Sequence, residues 1–250
     1  MIVIPMAGQS SRFTTAGYKK PKFMLEAHGM SMFEHSLKSF ECFYENTPFL
    51  FITRNSKEVV DFVNEKALHL GILEFYVVEL EFQTRGQAET VSLGIDKWLN
   101  LYKSSDYSDE FPITIFNIDT ERPGYRHPEL INSSYLEVFK GTGDNWSFVK
   151  PRSPESNDVI LTAEKKPISD LCSTGLYYFS KYFLFKTALE NYLKLPEECW
   201  EKGELYVAPL YNYLIKAGYE VKFNLIERRN VIFFGTPKEY EDYKCNENKG

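Results

Sequence analysis

Apolar runs and amphipathic segments alternate along the first 116 residues, and this order restricts the fold more than any other feature of the chain. Four short apolar runs predict β-strands, at residues 2–6, 49–53, 73–78 and 113–116. Three segments between them have helical periodicity, at residues 32–43, 56–70 and 86–102, with Ser56 placed to cap the second. This order needs right-handed crossovers and predicts a mostly parallel sheet covered by helices on both faces.

Polar segments follow three of the predicted strands. In open sheets of this kind, ligands bind beyond the carboxyl ends of the strands. We therefore expect the ligand site on one rim of the sheet, formed by residues 7–22, 80–86 and 117–120.

The second half of the chain is less regular. Its apolar runs predict strands at residues 146–150, 159–164, 174–179, 219–226 and 230–234. Its helical patterns lie at residues 181–193, 204–217 and 237–243, and Pro237 occupies a favoured first helical position. Because no Pro/Gly/Ser linker or repeat separates the halves, we predict one α/β domain over residues 1–243 and a frayed tail over 244–250.

The charge of the chain excludes some partners. The 250 residues carry a net charge of −6, with 43% hydrophobic and 26% charged residues. No global positive field attracts a nucleic-acid backbone or an anionic membrane, so we expect neither partner. Any anionic ligand must instead meet local cations.

The cysteines and the apolar runs predict a cytoplasmic protein. The four cysteines show neither CxxC pairing nor zinc-ligand spacing and predict reduced, mostly buried thiols: Cys42, Cys172, Cys199 and Cys245. No run reaches the ~20 apolar residues of a membrane span. The first run is too short for a signal peptide and lacks a basic segment before it.

The loop after the first strand combines small residues with two cations. It begins with five residues whose backbone N–H groups can curl around phosphate oxygens: Ala7, Gly8, Gln9, Ser10 and Ser11. Arg12 adds a bidentate fork and Lys22 a compact point charge. Neither GxxxxGK[ST] nor GxGxxG is present. On spacing alone, a phosphate site and a solvated surface loop with ordinary cations both remain open.

Seven segments, in the same order along the chain, resemble the signature of the sugar-phosphate nucleotidyltransferases. In the first of them, Gly8, Arg12, Pro21 and Lys22 match the family's G-x-G-T-R and P-K, although Ser10-Ser11 replace its usual Gly-Thr. The other segments are TRGQAET at 84–90, FNIDT at 116–120, AEKKP at 163–167, STGLYYF at 173–179, KGELY at 202–206 and FGTPKEY at 234–240.

This resemblance implies a fold and a reaction. The fold would be a single-domain Rossmann-like, glycosyltransferase-A-like mixed sheet, with a nucleotide-binding half at about 1–120 and an acceptor-binding half at about 121–243. A sugar phosphate or similar phosphorylated molecule would attack the α-phosphate of an NTP, with a pyrimidine base favoured, and release pyrophosphate. The product would serve capsule- or lipopolysaccharide-type polysaccharide synthesis. Such transfer requires that two anions be aligned and their growing charge neutralised.

The matched motifs also imply catalytic roles. Arg12 would hold the β- and γ-phosphates, and Lys22 would bridge the α-phosphate and the attacking phosphate. Asp119 would coordinate Mg²⁺, a hard cation that suits carboxylate and phosphate oxygens. By residue type alone, Asp119 could equally cap the turn that follows its strand.

Further matches imply the two substrate sites. The backbone of residues 7–11 would cradle the nucleotide, and three residues would lie near the base: Gln83, Gly86 and Gln87. Lys165 would contact the acceptor phosphate, while three residues would face the sugar hydroxyls: Glu164, Gly175 and Glu204. Without the motif order, 164–166 would be a solvated charge cluster, and Glu204 a favourable first-turn charge of the predicted helix at 204–217.

Phe233 departs from the family pattern, because many members carry a second metal-binding aspartate two residues before the late Gly-Thr. A phenylalanine cannot ligate Mg²⁺. Three explanations stay open: a metal held by Asp119, phosphates and water; a substitute carboxylate such as Asp170 or Glu227; or weakened catalysis.

Three kinds of protein consequently remain. We expect an enzyme first, a non-catalytic nucleotide- or nucleotide-sugar-binding regulator second, and a glycosyltransferase third. The last expects a D-x-D, of which Asn117-Ile118-Asp119 offers half. Aromatic surface in the second half is compatible with a homodimer.

Overall fold

The computed structural model describes residues 1–102, 108–130 and 132–245. The strands in the first half are β1 Ile2–Pro5, β2 Glu26–Ala27, β3 Met30–Ser31, β4 Phe49–Arg54, β5 Phe75–Leu80, β6 Ile113–Phe116 and β7 Thr120–Glu121. Those in the second half are β8 Ser134–Lys140, β9 Ser147–Pro151, β10 Val159–Glu164, β11 Leu171–Phe179, β12 Val221–Ile226 and β13 Ile232–Phe233. The α-helices are α1 Ser11–Thr15, α2 Met32–Lys38, α3 Lys57–His69, α4 Gln87–Tyr102, α5 Tyr182–Tyr192, α6 Tyr211–Lys216 and α7 Pro237–Cys245.

Short 3₁₀ turns complete the described elements. They lie at Lys22–Met24, Glu41–Phe43, Glu197–Cys199, Glu201–Gly203, Ala208–Leu210 and Arg228–Asn230.

A nine-stranded mixed sheet joins both halves of the chain. Seven strands run in the order β10-β9-β11-β6-β1-β4-β5, while β8 pairs with β11 and β12. All pairs among β6, β1, β4 and β5 are parallel, and Ile2 lies between Phe49 and Thr114. The pairs of β11 with β6, β8 and β9 are antiparallel, as is the β9–β10 pair. The predicted mixed α/β fold is confirmed.

Apolar side chains alternate between the two faces of this sheet. Ile2 and Ile4 of β1 belong to one buried cluster, together with residues of α2 and α3. Val3 belongs to the other cluster, which includes residues of α4, α5 and α6. Successive strand residues point to opposite faces, so a strand buried on both faces is continuously apolar. This explains why the parallel strands can be recognised as uninterrupted apolar runs.

Several predicted elements differ from those observed in the structure. The first predicted helix, at residues 32–43, ends at Lys38 and is followed by a 3₁₀ turn. The predicted cap of α3 is confirmed, because Ser56 Oγ accepts a hydrogen bond from Val59 N at 3.4 Å. Strand β8 went unpredicted because its buried run contains Glu137, which forms an ion pair with Arg122 at 3.0 Å. A charge within an apolar run hides the strand pattern.

The predicted helix at 204–217 is wrong in its first part, because α6 begins only at Tyr211. Glu204 has extended backbone angles. Leu205 N donates to Arg85 O at 3.0 Å, and Leu205 O accepts from Ala88 N at 2.9 Å. These long-range bonds hold the segment extended, and sequence periodicity does not reveal them.

The cysteine expectation is also wrong in part. All four cysteines are free, but only Cys172 is buried; Cys42 is half-buried, and Cys199 and Cys245 are exposed. The exposed pair lies in a surface 3₁₀ turn and at the end of α7. Since α7 reaches Cys245, the first two residues of the predicted tail are helical, and 246–250 lie outside the described residues. In the part of the chain that the structure describes, no helix is long and apolar enough to cross a membrane.

Candidate active site

Two cavities open beyond the carboxyl ends of the parallel strands, on the rim where the sequence predicts a ligand site. Their volumes are about 620 Å³ and 720 Å³, and we call them the first and the second cavity. Three residues line both: Gln87, Asn117 and Asp119. The cavities therefore meet at these residues, which we call the junction.

The opening loop forms one wall of the first cavity. All predicted nucleotide-binding residues line it, together with Lys22 and Glu204: Ala7, Gly8, Gln9, Ser10, Ser11, Gln83, Gly86 and Gln87. The side-chain amide of Gln9 donates to Gln83 Oε1, which links the two walls. Glu204, predicted on the acceptor side, thus lies with the nucleotide-binding candidates.

Ser10 gives the opening loop its turn. Its φ of 52° is in the left-handed region, which non-glycine residues rarely adopt. Its carbonyl accepts from Phe13 N at 2.9 Å and Thr14 N at 3.1 Å, so helix α1 starts directly after the small residues. This turn places Ser11 on the first cavity and Arg12 on the second.

Large and ionisable side chains wall the second cavity. Among its lining residues are Arg12, Trp146, Glu164, Gly175, Tyr177, Tyr206 and Phe233. Lys165 reaches this wall through Tyr206: its Nζ donates to the Tyr206 hydroxyl and lies 4.6 Å from the ring centroid. Lys165 has a left-handed φ of 50°. The structure therefore brings Arg12, Glu164 and Gly175 to one cavity, with Lys165 in contact with its Tyr206 wall. Arg12 lines this cavity and is not among the residues that line the first.

Lys22 and Asp119 form an ion pair at the junction. They are 97 positions apart in the chain, and their side chains are 24% and 22% exposed. The late G-T-P segment packs against the same aspartate, since Phe234 N donates to Asp119 O at 3.1 Å. A Cβ on Gly235 would lie 2.8 Å from Asp119 Oδ2, closer than real Cβ contacts, so a larger residue there would have to displace this carboxylate.

Asp119 at the junction is a suitable ligand for a metal ion whose other ligands would come from the substrate and from water. The described residues contain no group of three or more His, Cys, Asp or Glu placed to hold a metal. Asp119 is a carboxylate that faces both cavities, and Mg²⁺ commonly binds one or two carboxylates together with phosphates and waters. Asp119 thus suits Mg²⁺ brought in with a nucleotide and does not form a complete protein cage.

Phe233 forms part of an aromatic wall near the Asp119 carboxylate. It pairs with Thr120, the residue after Asp119, and its ring centroid lies 4.7 Å from that of Trp146. Asp170 and Glu227 are both exposed, and Glu227 pairs with Arg229 at 2.6 Å. Neither of these carboxylates lines the two cavities, within the range that the structure describes.

Glu164 is a buried carboxyl group in the second cavity. It is 6% exposed, and burial raises its pKa to about 7, although a hydrogen bond from the Ser147 hydroxyl favours the charged form. The Tyr177 hydroxyl lies 3.2 Å from Ser147. Because this pKa is near neutrality, Glu164 can donate or accept a hydrogen bond under ordinary conditions.

Two site glycines are required by close packing. A Cβ on Gly86, whose φ is 156°, would lie 2.5 Å from the backbone N and O of Leu205. A Cβ on Gly175, whose φ is 89°, would lie 2.4 Å from Asn117 Nδ2. The absence of a side chain at Gly86 therefore allows the backbone of Leu205 to pack closely, whereas the resemblance implied close approach of a base.

Asn117 was not among the predicted site residues, because the sequence marked it only as the non-acidic position of an incomplete D-x-D motif. The side chain lines both cavities, and its Oδ1 accepts from Gln87 Nε2 at 2.6 Å. The available signal was its position directly after an apolar strand, at the strand end where ligands bind in such sheets.

No protein-family model and no curated protein matches the chain. Among solved structures, the crystal structure of a nucleoside-diphosphate-sugar pyrophosphorylase from Vibrio cholerae RC9 is 52% identical, with a TM-score of 0.93. The match covers 98% of this chain and 100% of that chain.

More distant solved structures share the architecture. An inositol-1-phosphate CTP transferase from T. maritima is 14% identical with a TM-score of 0.69, over 97% of this chain and 92% of that chain. A UTP-bound UGPase from Acinetobacter baumannii is 14% identical with a TM-score of 0.67, over 97% and 90% of the respective chains. At these identities the similarity shows the fold alone.

Proposed function

The chain belongs to the nucleoside-diphosphate-sugar pyrophosphorylase family of nucleotidyltransferases, and from this we propose that it transfers a nucleoside monophosphate from an NTP to a sugar phosphate or similar phosphorylated small molecule, releasing pyrophosphate. The observation that carries the proposal is the Lys22–Asp119 pair at the junction of two cavities. A transfer between two anions needs two adjoining sites with a cation and a metal-binding carboxylate between them.

The first cavity is the proposed nucleotide site. The backbone of residues 7–11 cradles the phosphates, and Gln83, Gly86 and Gln87 lie on the opposite wall, beside the base. Glu204 lines this cavity as well, so we assign it to the nucleotide sugar. We propose a pyrimidine NTP as the donor, the base that the sequence resemblance favours.

The second cavity is the proposed acceptor site. Arg12 and Lys165 supply positive charge for the acceptor phosphate, and Arg12 can form a bidentate pair with it. Glu164, the Gly175 backbone and Tyr206 face the remainder of the acceptor. The position of Arg12 supports this role over the β- and γ-phosphate role that the motif alone implies.

Lys22 and Asp119 would act on the phosphates that meet at the junction. A phosphate oxygen arriving there competes with the Asp119 carboxylate for the ammonium of Lys22, which then offsets the repulsion between the two anions. Asp119 is the residue that would hold Mg²⁺, and the ion would supply further charge neutralisation when bound. The product would be an activated building block for surface polysaccharide, made in the cytoplasm.

A non-catalytic nucleotide-binding regulator is the second candidate. Phe233 favours it, because this residue stands where many relatives carry a metal-binding aspartate and packs in an aromatic wall with Trp146. Such a protein would retain the first cavity and bind nucleotide without turnover.

Pyrophosphate release tests these candidates. The purified chain with Mg²⁺ should be assayed with each of four NTPs against a panel of sugar 1-phosphates and other phosphorylated small molecules. We expect release in at least one pairing, dependent on both substrates. Nucleotide binding by calorimetry without release in any pairing would support the regulator and refute the enzyme.

A further inference from the structure

We propose that Asn117 is a catalytic residue that donates a hydrogen bond from Nδ2 to the phosphoryl group during its transfer. This inference rests on the proposed function and adds a neutral donor to the charged groups of the junction. It follows from the position of Asn117, from the orientation of its amide and from the charges around it.

The position of Asn117 is the first argument. It follows β6 directly and precedes Asp119 by two residues, in the turn that leads from β6 to β7. Asn117 lines the first and the second cavity. A group bound between a nucleotide in one and an acceptor in the other would contact this amide.

The orientation of the amide is the second argument. Gln87 Nε2 donates to Asn117 Oδ1 at 2.6 Å, so the acceptor end of the amide is already paired. Asn117 N donates to Gly175 O at 3.1 Å, which anchors the backbone. The Nδ2 atom packs against Gly175, where a Cβ would approach it to 2.4 Å. The amide is therefore held between Gln87 and Gly175, and Nδ2 carries the donors that a ligand oxygen can use.

The local charge is the third argument. Two phosphates meet at the junction, where Asp119 already contributes a carboxylate. A second carboxylate at residue 117 would repel the phosphates, whereas an amide of the same shape is neutral and donates. A pre-oriented donor costs little reorganisation when charge develops, and removing one such donor typically lowers kcat by about 10²–10³-fold.

The test compares two variants of Asn117 with a matched control. Asn117→Ala removes the amide, and Asn117→Asp keeps its shape while replacing the donor with an acceptor. Asn224→Ala is the control, because Asn224 Nδ2 donates to the buried Glu137 at 3.3 Å and lines neither cavity. Steady-state pyrophosphate release gives kcat and both KM values, calorimetry gives nucleotide affinity, and thermal melts report folding.

We expect kcat to fall about 10²-fold for Asn117→Ala and at least as much for Asn117→Asp, with both KM values changed less than about threefold. Asn224→Ala should keep the parental kcat. A kcat within about threefold of the parent in either folded Asn117 variant would overturn the role of Asn117. If Asn117→Ala does not fold, the uncharged and nearly isosteric Asn117→Leu decides the question, because a loss in Asn117→Asp would also follow from charge repulsion. A parent chain without turnover refutes the proposed function itself, which distinguishes that failure from this one.

Discussion

The two cavities are lined by different kinds of chemical group. The first is bordered by the loop after β1, with its small residues, and the second mainly by aromatic and ionisable side chains from the antiparallel part of the sheet, together with Arg12. Backbone groups suit phosphates and base edges common to many nucleotides, whereas large side chains define one shape and one pattern of charge. Under the proposed function we therefore expect acceptor specificity to reside mainly in the second cavity, and the following variants test it.

Removal of Lys22 should have the largest effect, because it pairs with Asp119, which lines both cavities. We expect Lys22→Ala to lower kcat by about 10³-fold, since the ammonium would neutralise charge in the transition state. The melting temperature should change little, because solvent reaches both members of this ion pair, whose side chains are 24% and 22% exposed. Lys20→Ala, an exposed lysine of the same loop, is the control and should remain active. Near-normal turnover in Lys22→Ala would refute the role of this lysine.

The Glu164→Gln variant should show how burial distinguishes the second cavity. The folded pKa of Glu164 is raised to about 7, so the folded state binds its proton more tightly than the unfolded chain does. This stabilisation is complete below the unfolded pKa and is lost as the pH rises through about 7, a change of about 3 kcal/mol.

Urea unfolding of parent and Glu164→Gln at pH 4.5 and pH 7.5 measures this difference. The parent should lose about 3 kcal/mol more than the variant over this interval. Burial also raises the pKa values of Glu121 and Glu137, and these contributions are common to both proteins and cancel. Glu201 interacts with Glu164, so the measured difference includes the coupling of this pair. Equal pH slopes in the two proteins would show that Glu164 does not titrate in this range.

The Gly235→Ala variant tests whether the junction depends on close backbone packing. The new Cβ would lie 2.8 Å from Asp119 Oδ2 and should displace this carboxylate from Lys22. We expect kcat to fall about 10–10²-fold and the Mg²⁺ concentration for half-maximal activity to rise. Unchanged metal dependence in the folded variant would show that Asp119 tolerates the displacement or does not hold the metal.

Tyr206→Phe should produce the smallest effect and the most selective one. It removes the hydroxyl that receives the Lys165 hydrogen bond but keeps the ring beneath the ammonium. We expect KM for the acceptor to rise about threefold to tenfold, with KM for the NTP unchanged. Tyr213→Phe is the matched control, since Lys216 lies 5.3 Å from that ring and the pair lies outside both cavities. A larger rise in KM for the NTP would contradict the separation of the two sites.

The same contrast explains what the sequence could predict. Strands β1, β4 and β6 are buried on both faces and appear as apolar runs, so their succession along the chain and the ligand rim followed from pattern alone. In the second half, β8 contains a buried Glu137 whose partner Arg122 lies elsewhere in the chain. The extended segment around Leu205 depends on bonds to Arg85 and Ala88. These features arise from contacts between distant residues, which no local period encodes.

The candidate site shows the same contrast between features that local sequence predicts and features that contacts between distant residues determine. The resemblance predicted which residues gather on the rim, and all the predicted nucleotide-binding residues line one cavity. It did not predict that Arg12 lies on the second cavity, because the left-handed turn at Ser10 decides that placement. Asn117 was missed because its role depends on Gln87 and Gly175, which come from other parts of the sheet.

The packing of Gly235 against Asp119 has a consequence for synthesis of the protein on the ribosome. Lys22 and Asp119 are both translated well before Gly235, whose segment supplies the last wall of the junction. Domains fold as units during or after translation, so a nascent chain can form the parallel strands while its junction is still incomplete. Ribosome-bound chains that stop before residue 235 therefore lack this wall of the junction, and the second cavity is complete only after the segment around Gly235 has been synthesised.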